Sequence, residues 1–188
     1  MYKSFLKIMA KIFVETERLI LRELVPEDAE RMFLLDSNPE VMRFLGRNTV
    51  TKVEESSEII EKIRKQYREN GIGRWAVVEK SSNLLIGWSG LKFLTEEING
   101  FKNVYEFGYR FLPESWGKGY ASESAGASLN YGFNILDVEV IYASATIDND
   151  GSNHVLRKMG FTEKGTFIDP LDQEECFWYE LRKEDFQR

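Results

Sequence analysis

The stretch 104-VYEFGYRFLPESWGKGYASESAGASLNYGF-133 changes its period in the middle. Residues 104–112 alternate apolar and polar side chains like a strand. Residues 120–133 are rich in small residues (Ala121, Ala125, Gly126, Ala127) and read as a helix. Between them Gly117 and Gly119 flank Lys118. A strand that runs through a glycine turn into a helix gathers backbone N–H groups at the positive end of the helix dipole, which makes an anion site. The two glycines permit close approach or positive φ, and Lys118 adds charge. A Walker A loop needs an upstream glycine and a Ser or Thr after Gly-Lys, and neither is present. A dinucleotide fingerprint needs glycine where Ser122 stands, at the start of a βαβ unit. A turn that merely caps the following helix remains open from these residues alone.

Outward from this segment, residues 74–79, 84–94 and 104–112 are strand-like and separated by Ser81, Ser82, Asn83 and by Asn99, Gly100. That pattern predicts an antiparallel meander, with Gly87 and Gly90 marking a bulge or close approach. Residues 138–147, 161–167 and 175–181 read as further strands, and 151–159 as a helix stopped by Gly160. On the N-terminal side, 17–25 alternates as a strand and Pro26 opens a helix to about Asp36. Residues 37–46 turn into a short helix, and 53–69 carries Ile59, Ile60, Ile63 and Tyr67 at helical spacing. The pattern predicts one mixed α/β domain over 13–188, with about seven mostly antiparallel strands and about four helices. Residues 1–12 are expected to form a loosely ordered extension.

The 188 residues suit one domain, with 43% hydrophobic and 30% charged residues in the ordinary globular range. A net charge of -6 gives no overall field to attract nucleic acid or anionic membranes, so neither is expected as a partner. Lys3, Lys7 and Lys11 break the N-terminal apolar run, and no 18-residue apolar run follows, so no signal peptide or membrane span is expected. The single cysteine, Cys176, excludes an internal disulfide and a zinc–cysteine cluster, and a reducing, cytoplasmic setting is expected.

A second constellation, 147-IDNDGSNHVLRKMGF-161, follows the strand 138–147. With ETERLILREL, NPEVMRFLG and EFGYRFLPESWGKGYASE in the same order, the chain resembles the GNAT superfamily of acetyl-CoA dependent N-acetyltransferases. Within it, the likeness is to the RimJ/RimL-type branch, which acetylates N-termini of ribosomal proteins and, in relatives, other small amines. The resemblance implies the GNAT fold, with a splay between the fourth and fifth strands of the seven. It places the coenzyme A diphosphate on the amides of Trp116, Gly117, Lys118, Gly119, Tyr120 and Ala121, although Glu114 stands where the superfamily has Gln or Arg. Backbone groups of Phe111 and Leu112 are implied to pair with pantetheine. Asn149 and Ser152 are implied to touch the cofactor, against turn and helix-cap roles, with Ser152 read as the cap, and Lys158 either approaches the cofactor or is a solvated helix residue.

Direct acetyl transfer needs a neutral amine, a place for the developing oxyanion and a proton for the leaving thiolate. The resemblance makes Glu106 the general base, against an ordinary strand carboxylate. The superfamily's tyrosine acid falls on Leu156, so the acid must come from elsewhere or the thiolate must leave unassisted. Tyr109 and Tyr142 read as core, Cys176 as a buried inert thiol and His154 as a helix-surface residue. The run Asp148, Asn149, Asp150, Gly151 hints at a calcium loop. Its register, however, puts Thr146 and Arg157 where acids are required, so no metal is expected. The acceptor amine is implied to enter between 38–46, 53–69 and the loops near Gly87 and 169–173, where Glu54, Glu55, Asp169 and Asp172 either attract a cationic amine or form ordinary solvated acidic faces. A homodimer is a family-level implication. The rival readings are a noncatalytic acetyl-CoA-binding sensor or scaffold and, through the basic residues of 1–12, a ribosome-binding protein.

Overall fold

A computed structural model describes residues 10–46 and 49–186. Its strands are β1 (Ile12–Glu15), β2 (Leu19–Arg22), β3 (Trp75–Glu79), β4 (Leu84–Leu94), β5 (Val104–Phe111), β6 (Val140–Thr146), β7 (Thr162–Ile168) and β8 (Glu175–Arg182). Its helices are α1 (Ala29–Asp36), α2 (Pro39–Met42), α3 (Val53–Asn70), α4 (Tyr120–Asn134) and α5 (Asp150–Lys158). The eight strands form one sheet in the order β1-β2-β3-β4-β5-β6-β8-β7. Every pairing is antiparallel except β5 with β6.

The α/β expectation holds, with eight strands rather than about seven and five α-helices rather than about four among the described residues. The added strand is β1. It is four residues long and lies at the sheet edge, too short for its alternation to register against the preceding lysines. It begins at Ile12, inside the expected extension, and Phe13 stacks on Trp75 with ring centroids 4.6 Å apart. Residues 1–9 of that extension lie outside the described residues.

Alternation along the strands feeds two cores. Leu19, Leu21, Trp75, Val77, Phe107 and Phe111 pack toward Ala125, Leu129 and Phe133 of α4. Leu24, Ala76 and Leu85 pack toward Met32 and Leu35 of α1 and Ile60 and Ile63 of α3. Gly87 explains the expected close approach, because a Cβ there would lie 2.2 Å from the Arg110 carbonyl oxygen. The β3–β4 register shifts beside it, between Val77 and Val78. Among the described residues no helix is long and apolar enough to cross a membrane.

The feature that builds a site is the β5–β6 junction. The two strands pair only through Tyr105 with Ile141 and Glu106 with Tyr142. Beyond these, β5 stays paired with β4 as far as Phe111, and β6 with β8 as far as Thr146. Each strand keeps its outer partner while the inner edges diverge, so a wedge opens toward the C-terminal ends of both.

Candidate active site

The glycine turn lies at the open end of this wedge. Pro113–Ser115 form one turn of 3-10 helix after β5, and Gly117 (φ 70) and Gly119 (φ 81) both take left-handed backbone, where a side chain would be strained. Glu123 N–H donates to the Gly119 carbonyl, so α4 takes its first internal bond there. The N–H groups of Gly117, Lys118, Gly119, Tyr120, Ala121 and Ser122 find no acceptor among the described residues, and they stand at the positive end of a 15-residue helix. Trp116 differs: its amide donates to the Pro113 carbonyl (3.0 Å) and its indole Nε1 to the Phe111 carbonyl (2.8 Å). The Leu112 N–H donates to Ile86 and its carbonyl accepts from Ser115, so the Phe111–Leu112 backbone is already partly engaged within the protein.

Sequence reasoning missed the residue that holds this turn in shape. Arg18, just before β2, donates from Nη1 to the Lys118 carbonyl (2.9 Å) and pairs with Glu123 Oε2 (2.6 Å). Its guanidinium also lies over the Tyr120 ring, 4.5 Å from the centroid. Thr16 Oγ1 (2.5 Å) and the Arg18 amide (3.0 Å) complete the ring of donors around Glu123 Oε1. Burial raises the Glu123 pKa, but these donors and the Arg18 charge outweigh it and hold the carboxyl below its ordinary range. Tyr120 is anchored from the other side by its hydroxyl, which donates to Glu79.

Ser152 Oγ at the start of α5 donates to the Tyr109 hydroxyl of β5 (3.0 Å), so this bond ties β5 to the helix that follows β6. Burial pushes the Tyr109 phenol above its ordinary value, against the Ser152 hydrogen bond. Asn149, not Ser152, caps α5: its Oδ1 accepts the Ser152 N–H (3.1 Å), which leaves Nδ2 without a bond to any described residue. Ser152 is not the cap because the helix begins two residues earlier, at Asp150, and Ser152 lies within its first turn. Leu156 is buried in the core at 3% exposure, His154 is exposed and Cys176 is buried. Lys158 is exposed at the far end of α5, about 13 Å along the axis from Asn149 at ~1.5 Å per residue.

On the opposite face of the sheet a row of charges crosses β3, β4 and β5. Glu106 Oε2 accepts from Arg74 Nη2 (2.8 Å) and lies 3.5 Å from Lys92 Nζ. Arg74 also donates to the carbonyls of Gly90 (2.6 Å) and Glu106 (2.7 Å). The guanidinium fits because Gly108 has no side chain; a Cβ there would meet Nη2 at 2.8 Å. Trp88 lies within cation–π range of both Arg74 (5.5 Å) and Arg110 (5.1 Å), and Arg110 pairs with Asp36 (2.7 Å). Burial raises the Asp36 pKa despite Arg110. No described side chain pairs with Glu106 Oε1, at the last rung before the strands part.

Comparison with known proteins identifies the family. The family model of the acetyltransferase (GNAT) domain matches residues 18–162. An uncharacterized N-acetyltransferase, YoaA, of Bacillus subtilis (strain 168) is 36% identical over 152 residues, 81% of this chain and 84% of that protein. The spermidine N(1)-acetyltransferase of Escherichia coli (strain K12) is 32% identical over 148 residues, 79% of this chain and 75% of the enzyme. Among solved structures, a GNAT-family acetyltransferase from Bacillus anthracis superposes with a TM-score of 0.76 at 26% identity, covering 92% of this chain and 99% of that one. RimL, a ribosomal L7/L12 alpha-N-protein acetyltransferase, gives 0.75 at 19% identity, covering 93% and 95%, which is a likeness of fold alone.

Proposed function

The chain belongs to the GNAT acetyltransferase family, and from that premise we propose that its wedge and glycine turn transfer the acetyl group of acetyl-CoA to a primary amine in the cytoplasm. The observation that carries this reading is the run of unpaired amides from Gly117 to Ser122 at the N-terminus of α4, at the mouth of the β5–β6 wedge. Consecutive N–H donors on a helix dipole suit a diphosphate, and a wedge between two strands suits an extended thiol arm. Lys118 adds charge at the mouth, while Asn149 Nδ2 and the remaining carbonyl capacity of Phe111 and Leu112 line the path. Ser152 meets it through its bond to Tyr109, and Lys158 lies outside it.

Acetyl-CoA is the acetyl donor. The amine nitrogen forms the new C–N bond as the C–S bond breaks, and the chain must take one proton from the amine and supply one to the sulfur. Glu106 takes the first through Oε1, directly or through water, with Arg74 and Lys92 orienting the carboxylate from Oε2. Tyr109 supplies the second, replacing the family tyrosine whose position is filled by Leu156. The buried phenol stays protonated at neutral pH, and Ser152, hydrogen-bonded to it, can return a proton from solvent.

Protein N-termini and polyamines are both acceptors of proteins similar to this one. The 32% identity to a spermidine acetyltransferase supports a small amine more strongly than the fold-level likeness to RimL supports a ribosomal protein. The noncatalytic sensor reading draws on Leu156, and release of free thiol with an amine separates the two. Calorimetric titration with acetyl-CoA tests the donor half: saturable binding in the micromolar range is expected. Absence of heat at high micromolar donor would overturn the assignment.

A further inference from the structure

At the open end of the wedge, where β6 ends, Arg43, Phe44, Thr146, Asp148 and Glu174 line a pocket of about 70 Å³. Thr146 is 7% exposed, and its Oγ1 has no hydrogen-bond partner among the described residues. Its carbonyl is fully used, accepting from the Asn149 amide and from Asn153 Nδ2, both at 3.0 Å. The hydroxyl alone is left for the pocket, and a buried hydroxyl with no partner is a cost that a ligand would relieve.

The two carboxylates are presented from loops of fixed shape. Ile147 N–H donates to the Glu175 carbonyl, which ties the end of β6 to the β7–β8 turn. That turn is closed by Asp169 N–H on the Glu174 carbonyl and by Leu171 N–H on Asp169 Oδ1. No described residue forms an ion pair with Asp148 or Glu174. The surroundings share their sign: residues 147–152 and 168–175 contain Asp148, Asp150, Asp169, Asp172, Glu174 and Glu175 and no Lys or Arg. Cys176, paired with Thr146 across the sheet, registers the field. Burial pushes its thiol up to about 12, and four of these carboxylates push the same way. Among the described residues that line the pocket the one cation is Arg43, which rests over the Phe44 ring at 5.1 Å.

A reacting amine must be neutral when it attacks, so a negative field gives it nothing at that moment. The field is useful only to a charge the acceptor keeps. Resting on the acetyltransferase reading above, we propose that this pocket seats an ammonium group of an acceptor with more than one, a diamine or linear polyamine, with Thr146 Oγ1 accepting from it between Asp148 and Glu174. The acetylated product has one positive charge fewer than the substrate, which favours its release.

The test is steady-state transfer by the full chain from acetyl-CoA to butylamine, 1,4-diaminobutane, spermidine and lysine, with thermal melts of each variant. The expected order places spermidine at least about tenfold above butylamine in kcat/KM, with the advantage shrinking as salt is added. Glu174→Gln and Thr146→Val should each raise the spermidine KM severalfold at little change in kcat and no change in the acetyl-CoA KM. Arg43→Gln should lower the spermidine KM. Butylamine turned over as well as spermidine, or lysine preferred with Arg43→Gln raising its KM, would overturn this proposal alone. Absence of acetyl-CoA binding would remove the enzyme reading and this proposal with it.

Discussion

Arg18 lies 100 residues from Lys118 in sequence, yet its guanidinium fixes the Lys118 carbonyl and thereby the direction of the neighbouring amides. Arg18→Ala should therefore raise the acetyl-CoA dissociation constant about tenfold, or ~1.4 kcal/mol, by calorimetry, with only a small change in melting temperature. Unchanged affinity would mean that the turn holds its shape alone. Tyr109 carries a sharper prediction. Burial raises its pKa above 10.0, so the acid form is present at neutral pH and is lost only on an alkaline limb above that value. Tyr109→Phe should lower kcat by about 10²-fold and abolish that limb. A variant with wild-type kcat across the alkaline range would clear Tyr109 of the role. Neither residue announced itself: Arg18 is one arginine in an unremarkable strand start, and Tyr109 reads as core because alternation reports which face a side chain takes, not what its hydroxyl meets.

At the scale of elements, β5 joins chemistry to stability. Glu106 is the counter-ion of Arg74, and their side chains are only 14% and 10% exposed. Glu106→Gln should slow turnover and also lower unfolding free energy in denaturant titrations, toward ~3 kcal/mol since Arg74 keeps its two carbonyl partners. A slowed enzyme of unchanged stability would show that Arg74 does not depend on this carboxylate. The β1–β2 corner and α4 are joined through Glu123. Its folded pKa is depressed, so its contribution is present above the unfolded value of 4.5 and is lost as pH falls through the lower folded value. Melting temperature should fall over that acid window in the wild type, and Glu123→Gln should flatten that part of the profile. Matching profiles would show that the junction contributes little.

Across the whole molecule, most of the fold was legible because period and punctuation agree: β4 spans 84–94 as the sequence predicts, and the other anticipated strands and helices shift by a few residues at their ends. β1 was not, because four residues at an edge carry too little pattern. The glycine turn was legible as a break between strand and helix with left-handed backbone and exposed amides, because glycines at such a junction have a mechanical meaning. The ion pairs were not, since Arg110 and Asp36 are 74 residues apart and Arg74 and Glu106 are 32 apart, and sequence gives no register between strands that distant. The unpartnered Thr146 hydroxyl was equally hidden, because it takes the packed fold to show which polar atoms are left over.

The wedge is proposed to move an acetyl group from a thioester to an amine. Incubating the chain with acetyl-CoA and spermidine, and following free thiol together with the mass of the amine, tests it most directly. Thiol and acetylated amine should appear in equal amounts, at a rate that saturates with acetyl-CoA. A folded chain that binds acetyl-CoA but releases no thiol with spermidine or any other primary amine would contradict it.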